Sequence, residues 1–216
     1  MESFADQGCT VYSNNFGSIE NSTGTRRAWI KMSTFLKFMT DENLMAEWGK
    51  FGYLFRREEI PAKTVLLDEG EVAKKVYFIE KGCLRLSFNK DGKDITFQFF
   101  FEGEGVSSAE SFRYNQPSLY SIESLEHSVV HTLTKKDYFE IIEASPLIRE
   151  AMEEQTLQRL LYVEKLFLSR IKNSPEERYR ELLEQRPEIL QRVPQHYIAS
   201  FLGVTSVSLS RIRNRR

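Results

Sequence analysis

After Pro146 the chain continues to Lys172 without a Gly or another Pro, and Leu147, Ala151, Leu157, Leu160, Leu161, Leu168 and Ile171 recur at helical spacing. Ser145-Pro146 is an N-cap followed by a proline at the first helical position, so the sequence fixes where this helix begins. About 25 residues at roughly 1.5 Å each span nearly 40 Å, more than one small barrel can cover. Such a helix needs a second surface to pack on. A copy of itself is the simplest, with a parallel two-fold seam through Leu157, Leu160, Leu161 and Leu168 and with Glu164 on or beside it. The alternative is a helix laid across its own chain's barrel.

Upstream the period is two. Tyr53-Arg57, Thr64-Leu67, Val76-Ile79, Leu84-Phe88, Ile95-Phe101, Tyr120-Glu123 and Ser128-Leu133 are short β-branched or aromatic runs. Between them stand the turn signals Glu58-Glu59-Ile60-Pro61, Asp68-Glu69-Gly70-Glu71, Glu80-Lys81-Gly82, Asn89-Lys90-Asp91-Gly92 and Glu102-Gly103-Glu104-Gly105. This spacing predicts an antiparallel sandwich or barrel of about 80 residues. Thr34–Lys50 fits one or two short helices broken near Thr40-Asp41, and Lys135–Ala144 another. Residues 1–31, rich in Ser, Asn, Gly and Thr without an apolar period, read as a flexible extension, and Met32 is a possible second start.

Beyond Lys172, Asn173-Ser174-Pro175 ends one helix and caps the next, whose apolar face is Tyr179, Leu182 and Leu183. The last segment then reads as a helix-turn-helix. Ile198, Ala199 and Leu202 share a face, Gly203 supplies a left-handed turn, and Thr205 is an N-cap for a second helix anchored by Val207, Leu209 and Ile212. No Asp or Glu occurs from residue 189 onward, and from residue 172 nine Lys/Arg stand against five Asp/Glu. Because the whole chain carries 30 basic and 31 acidic residues, a uniformly basic coat is excluded and any polyanion surface must be local. Cys9 and Cys83 are too few for a disulfide framework, a structural zinc site or an all-cysteine iron–sulfur cluster. They read as free thiols in a reducing cytoplasm, and neither a secretion signal nor a membrane span is indicated.

The order Asp68-Glu69-Gly70, Val76-Tyr77-Phe78-Ile79, Gly82, Asp91-Gly92 and Phe101-Glu102-Gly103-Glu104, then a long helix and a terminal helix-turn-helix, resembles the Crp/Fnr family of bacterial transcription regulators over residues 35 to 216. The resemblance implies an α+β chain: a double-stranded, jelly-roll-like β-roll sensor over 32–144, a dimerisation helix over 145–172, and an all-helical, winged-helix-like DNA-binding unit over 173–216. It further implies a homodimer on palindromic promoter DNA, RNA polymerase as a partner, and a small-molecule effector in the β-roll. No cofactor follows from it.

Two departures stand out. Cyclic-nucleotide-binding relatives place a second Gly-Glu pair where this chain has Ser107-Ser108, and an Arg-Ser or Arg-Thr step where it has Pro117-Ser118-Leu119-Tyr120. Without the arginine a buried cyclic phosphate has no counter-charge, so cyclic AMP is not the expected ligand. The corresponding pocket residues are Gly103, Glu104, Ser107, Ser108, Glu110, Ser118 and Leu119, with Arg113 the nearest cation. In the recognition helix, the positions where relatives hold Arg and Glu are Ser206 and Val207, so the half-site read should differ. Arg211 is retained as a base or phosphate donor; Thr205, Ser208 and Arg213 fit phosphate contacts.

Other chemistry finds little footing. No paired carboxylates, nucleophile–base set or phosphate loop points to an enzyme. His127 and His131, four apart in a strand pattern, are a conceivable metal pair without an evident third ligand. A reading of a different class remains: a ligand-sensing signalling module whose terminal helices bind a protein rather than DNA.

Overall fold

A computed structural model describes residues 41–214, so the expected extension over 1–31, Cys9, the apolar residues Phe35, Leu36 and Met39, and the terminal Arg215 and Arg216 lie outside it. Helix α1 (Glu42–Lys50) starts where Asp41 accepts from the Asn43 and Leu44 N–H groups. A single 3₁₀ turn (Gly52–Leu54) leads into strands β1 (Arg56–Ile60), β2 (Val65–Leu67), β3 (Lys75–Lys81), β4 (Leu84–Lys90), β5 (Lys93–Phe100) and β6 (Gly105–Val106). After the short helix α2 (Ala109–Tyr114), β7 (Ser121–Ser124) and β8 (Ser128–Thr134) complete two four-stranded antiparallel sheets, ordered β1-β8-β3-β6 and β2-β7-β4-β5.

The strands form where alternation puts bulky side chains between the sheets. Leu84, Leu86, Phe100, Ile122, Val130 and Leu133 are fully buried there, and Trp48 of α1 meets Phe55 and Phe78 edge-on at 5.7 and 6.3 Å. Asp91 and Gly92, with φ of 53° and 77°, make the tight β4–β5 hairpin that their dipeptide signals. Gly82 is also required: at φ 112°, an added Cβ would lie 2.7 Å from the Ser128 backbone.

The first expected strand is displaced. Tyr53 and Leu54 belong to the 3₁₀ turn, whereas Glu58-Glu59-Ile60, read as a turn from its charge, lies in β1. The charges are accommodated because β1 is an edge strand. Arg57 bonds Glu80 and Glu59, Glu58 accepts from Lys75 and Thr132, and Ile60 alone turns fully inward. Strand β6 and helix α2 had no period long enough to reveal them.

Helix α3 (Lys135–Ala144) is capped by Thr134, and α4 (Pro146–Lys172) by Ser145, which accepts from the Ile148 N–H. Ser174 and Glu177 form a reciprocal capping box that opens α5 (Pro175–Gln185), followed by α6 (Pro187–Arg192), α7 (Gln195–Leu202) and α8 (Ser206–Asn214). The chain bends at Asn173-Ser174, but the packing does not stop there. Cys83, Phe99 and Phe101 of the roll share one buried cluster with Tyr179, Leu182, Ile189, Val193, Ile198, Phe201 and Leu209 of the terminal helices. No described helix is long and apolar enough to cross a membrane.

Candidate functional site

Helices α7 and α8 pack against each other across a tight turn. Gly203 adopts φ 68° and its N–H bonds back to α7, Val204 N–H returns to the Ala199 carbonyl at 2.9 Å, and the turn delivers Thr205 as N-cap of α8. Thr205 Oγ1 accepts from the Ser208 N–H at 3.1 Å. Ile198, Ala199 and Leu202 are buried, as is Leu209. Val207 is not an anchor: it is 62% exposed, because the packed face of α8 is set by Leu209 and Ile212. The outward face therefore consists of Ser206, Val207, Ser210, Arg211 and Arg213. Ser206, Val207, Ser210 and Arg211 join Gln195 and His196 of α7 around an open depression of about 570 Å³. Gln195 and His196 were not singled out in the sequence, although they sit one helix N-terminus away from the reader positions.

This unit is held at its base. Arg178 donates to the Leu202 carbonyl at 2.9 Å and Arg170 to that of Phe201, which satisfies the C-terminal carbonyls of α7 with positive charge. It is also docked on the roll. The Thr96 N–H bonds Ser200 Oγ at 2.9 Å, Phe99 and Phe201 rings lie 5.4 Å apart, and Arg85 lies 4.0 Å from the centre of the Tyr197 ring. Arg85 is itself buried, bonded to Asp94, Thr96 and Glu123. Burial opposes its charge, but these bonds outweigh the penalty and raise its pKa.

A second opening, a cleft of about 1390 Å³, lies between the roll, α3, α4 and the α5–α6 corner. Gly103, Glu104 and Ser107 of the expected effector residues line it; Ser108, Glu110, Ser118 and Leu119 do not. Ser108 and Ser118 are buried and paired, Oγ to Oγ, at 2.9 Å, while Leu119 is 70% exposed. Arg113 reaches the cleft, 4.9 Å from the centre of the Phe139 ring. Gln98, Arg159 and Tyr162, which no motif marked, also line it. Arg159 and Tyr162 share the half-buried face of α4, and the helical spacing between them was the available signal.

The cleft reaches the terminal helices through two arginines. Arg192 donates to both Glu102 oxygens at 2.7 and 2.8 Å and to Glu126, and Arg186 donates to Glu104 at 3.2 Å. Burial disfavours the Glu102 carboxylate, but Arg192 and the Gly82 N–H overcome this and lower its pKa.

Along α4 only Ile148 is fully buried. Leu157, Leu161 and Leu168 repeat with heptad spacing on the exposed side, joined by Leu160 at 63% exposure, Val163, Phe167 and Ile171. The exposed Glu164 falls within this apolar surface. The two histidines are separated: His127 precedes β8, whereas buried His131 bonds Glu80 at 2.7 Å. Among the described residues no group of three or more His, Cys, Asp or Glu could hold a metal ion.

Residues 57–145 match the family model for the cyclic nucleotide-binding domain. No curated protein sequence matches the chain. Among solved structures, the c-di-GMP responsive global regulator CLP of Xanthomonas campestris superposes with a TM-score of 0.65 at 17% identity, covering 79% of this chain and 90% of that one. FixK2 of Bradyrhizobium japonicum gives 0.64 at 16% identity, covering 74% and 83%. The catabolite activator protein of Thermus thermophilus gives 0.51 at 19%, covering 84% and 85%. The roll is thus similar to a cyclic nucleotide-binding domain, and over about three quarters of its length the chain shares the fold of these regulators.

Proposed function

We propose that this protein is a homodimeric, sequence-specific DNA-binding transcription regulator whose β-roll cleft takes a small-molecule effector. The observation that carries the reading is the outward face of α8: Ser206, Val207, Arg211 and Arg213 are exposed while Leu209 fixes the helix from behind. Short donors and guanidiniums on a helix of a helix-turn-helix suit the major groove. Arg211 is the base reader, Val207 fits a thymine methyl, and Thr205, Ser208 and Arg213 serve the phosphates.

The apolar stripe of α4 supports the dimer, since Leu157, Leu160, Leu161 and Leu168 stay exposed within the described chain. Two copies paired there present two α8 helices, matched to half-sites about 34 Å apart. The domain plan follows: a sensor roll up to residue 144, a dimer helix over 145–172, and a DNA-binding unit from 173. The role is regulatory rather than catalytic. In this reading cyclic AMP is not the effector, because Ser107-Ser108 and Pro117-Ser118, where cyclic-nucleotide-binding relatives hold the phosphate, carry no cation, and the cleft's Arg159 comes from α4 instead. Electrophoretic shift of a palindromic promoter fragment, steeply weakened as salt rises, tests the reading against a protein-binding role for the same helices.

A further inference from the structure

We propose that the cleft binds an organic anion with an aromatic or apolar body, its charged group held by Arg159 of the long helix. Arg159 lines the cleft and donates from Nη2 to Gln98 Oε1 at 3.1 Å, with its guanidinium carbon 4.3 Å from the centre of the Phe100 ring. A guanidinium has five N–H donors and stays charged inside proteins. Among the described residues Arg159 has that single hydrogen bond and no carboxylate partner. The contrast with Arg85, which meets two carboxylates and a hydroxyl in the same roll, is direct.

The carboxylates of the cleft do not fill the gap. Glu102 is held by Arg192, and Glu104 and Glu188 by Arg186. Glu153 and Glu154 are exposed on α4, where Glu154 accepts from Gln158. Burial lowers the Arg159 pKa, and the nearby Tyr120, Glu104 and Tyr162 only partly offset it. A half-buried cation with unused donors is costly, and an anion in the cleft relieves that cost. The body of the ligand follows from the walls, which include Trp48, Phe78, Phe101, Tyr138, Phe139 and Met152. Gln98, 6% exposed and with its carbonyl turned to Arg159, leaves its amide N–H₂ as a second donor for the same group.

This rests on reading the cleft as the effector pocket, but its test contains no DNA, so its failure and a failure of DNA reading are separable. The probes are anilinonaphthalene sulfonate and phenylnaphthylamine, the same aromatic body with and without the negative charge. The full chain carries two tryptophans, Trp29 and Trp48; in a Trp29→Phe background, energy transfer from Trp48 reports occupancy of the cleft itself. The sulfonate should bind at least several-fold tighter than the neutral probe. Arg159→Gln should weaken the sulfonate about ten-fold, equivalent to about 1.4 kcal/mol, while the neutral probe stays within two-fold and Arg159→Lys recovers part of the loss. Equal affinity for the two probes in the unmutated protein, which does not depend on any variant folding, would overturn the proposal. So would an Arg159→Gln protein that keeps sulfonate affinity or loses both probes alike.

Discussion

Arginines in this chain are sorted by what they meet. Arg85 is buried against Glu123, Asp94 and Thr96 and sits under Tyr197, so its charge is spent on holding β4, β5 and α7 together. Arg211 and Arg213 are exposed on α8, and no hydrogen bond within the described residues engages either. Their difference is one of position around the helix. Arg211 lines the depression with Ser206, Val207 and Ser210, whereas Arg213 does not. Arg211→Ala should therefore cost about 1–3 kcal/mol on a specific site and relax one base position, while Arg213→Ala should weaken all sequences alike. Fluorescence anisotropy on specific and scrambled duplexes reads both. An equal loss on the two duplexes for Arg211→Ala would remove its base-reading role.

Leu160→Asp places a charge on the exposed stripe of α4, at a side chain that is 63% exposed within the described chain. Sedimentation should shift from dimer to monomer, with monomer stability changed by no more than about 0.5 kcal/mol; a Leu160→Asp protein that remains dimeric places the interface elsewhere. The Glu102–Arg192 pair joins the roll to α6. Since the pKa of Glu102 is lowered in the docked state, its contribution is full above the undocked value of about 4.3 and is lost as pH falls through the lowered one. Amide exchange in α6 and α7 should accelerate in that acid window. Glu102→Gln should show the same loosening already at neutral pH, and unchanged protection would mean that the hydrophobic contacts alone hold the helices down.

Elements were legible where a period or a cap was strong. Ser145 and Ser174 mark the starts of α4 and α5 because their side chains accept from the first helical turn, a bond readable from residue type alone. Asp91-Gly92 marks a hairpin for the same local reason. What failed was non-local. Glu58-Glu59-Ile60 looks too charged for a strand until Lys75 and Thr132 are brought alongside it by the sheet. Val207 looks like an anchor until Leu209 and Ile212 take the buried face. Among the pocket residues, Gly103, Glu104 and Ser107 meet in one cleft, but Arg159 comes from a helix more than fifty residues away in sequence and no local pattern ties it to them.

The whole molecule is a β-roll whose two faces are both in use. One side of the chain's core is closed by α1, α3 and the start of α4, while the roll's Cys83, Phe99 and Phe101 pack beneath the terminal helices. The cleft lies where these parts meet, with walls from the roll, from α4 and from Arg186, Glu188 and Arg192 of the α5–α6 corner. A ligand there would touch the roll, the proposed dimer helix and the arginines at the base of the terminal helices at once, so occupancy has a short physical route to the position of α8. The proposed function stands on that last helix reading DNA as one of a pair. Selection of duplexes from a random pool by the purified full-length protein measures this directly. Two-fold symmetric sites should be enriched, with half-site centres about 34 Å apart and affinity that falls steeply with salt; recovery of no common sequence, or of a single asymmetric site bound equally at all salt concentrations, would contradict it.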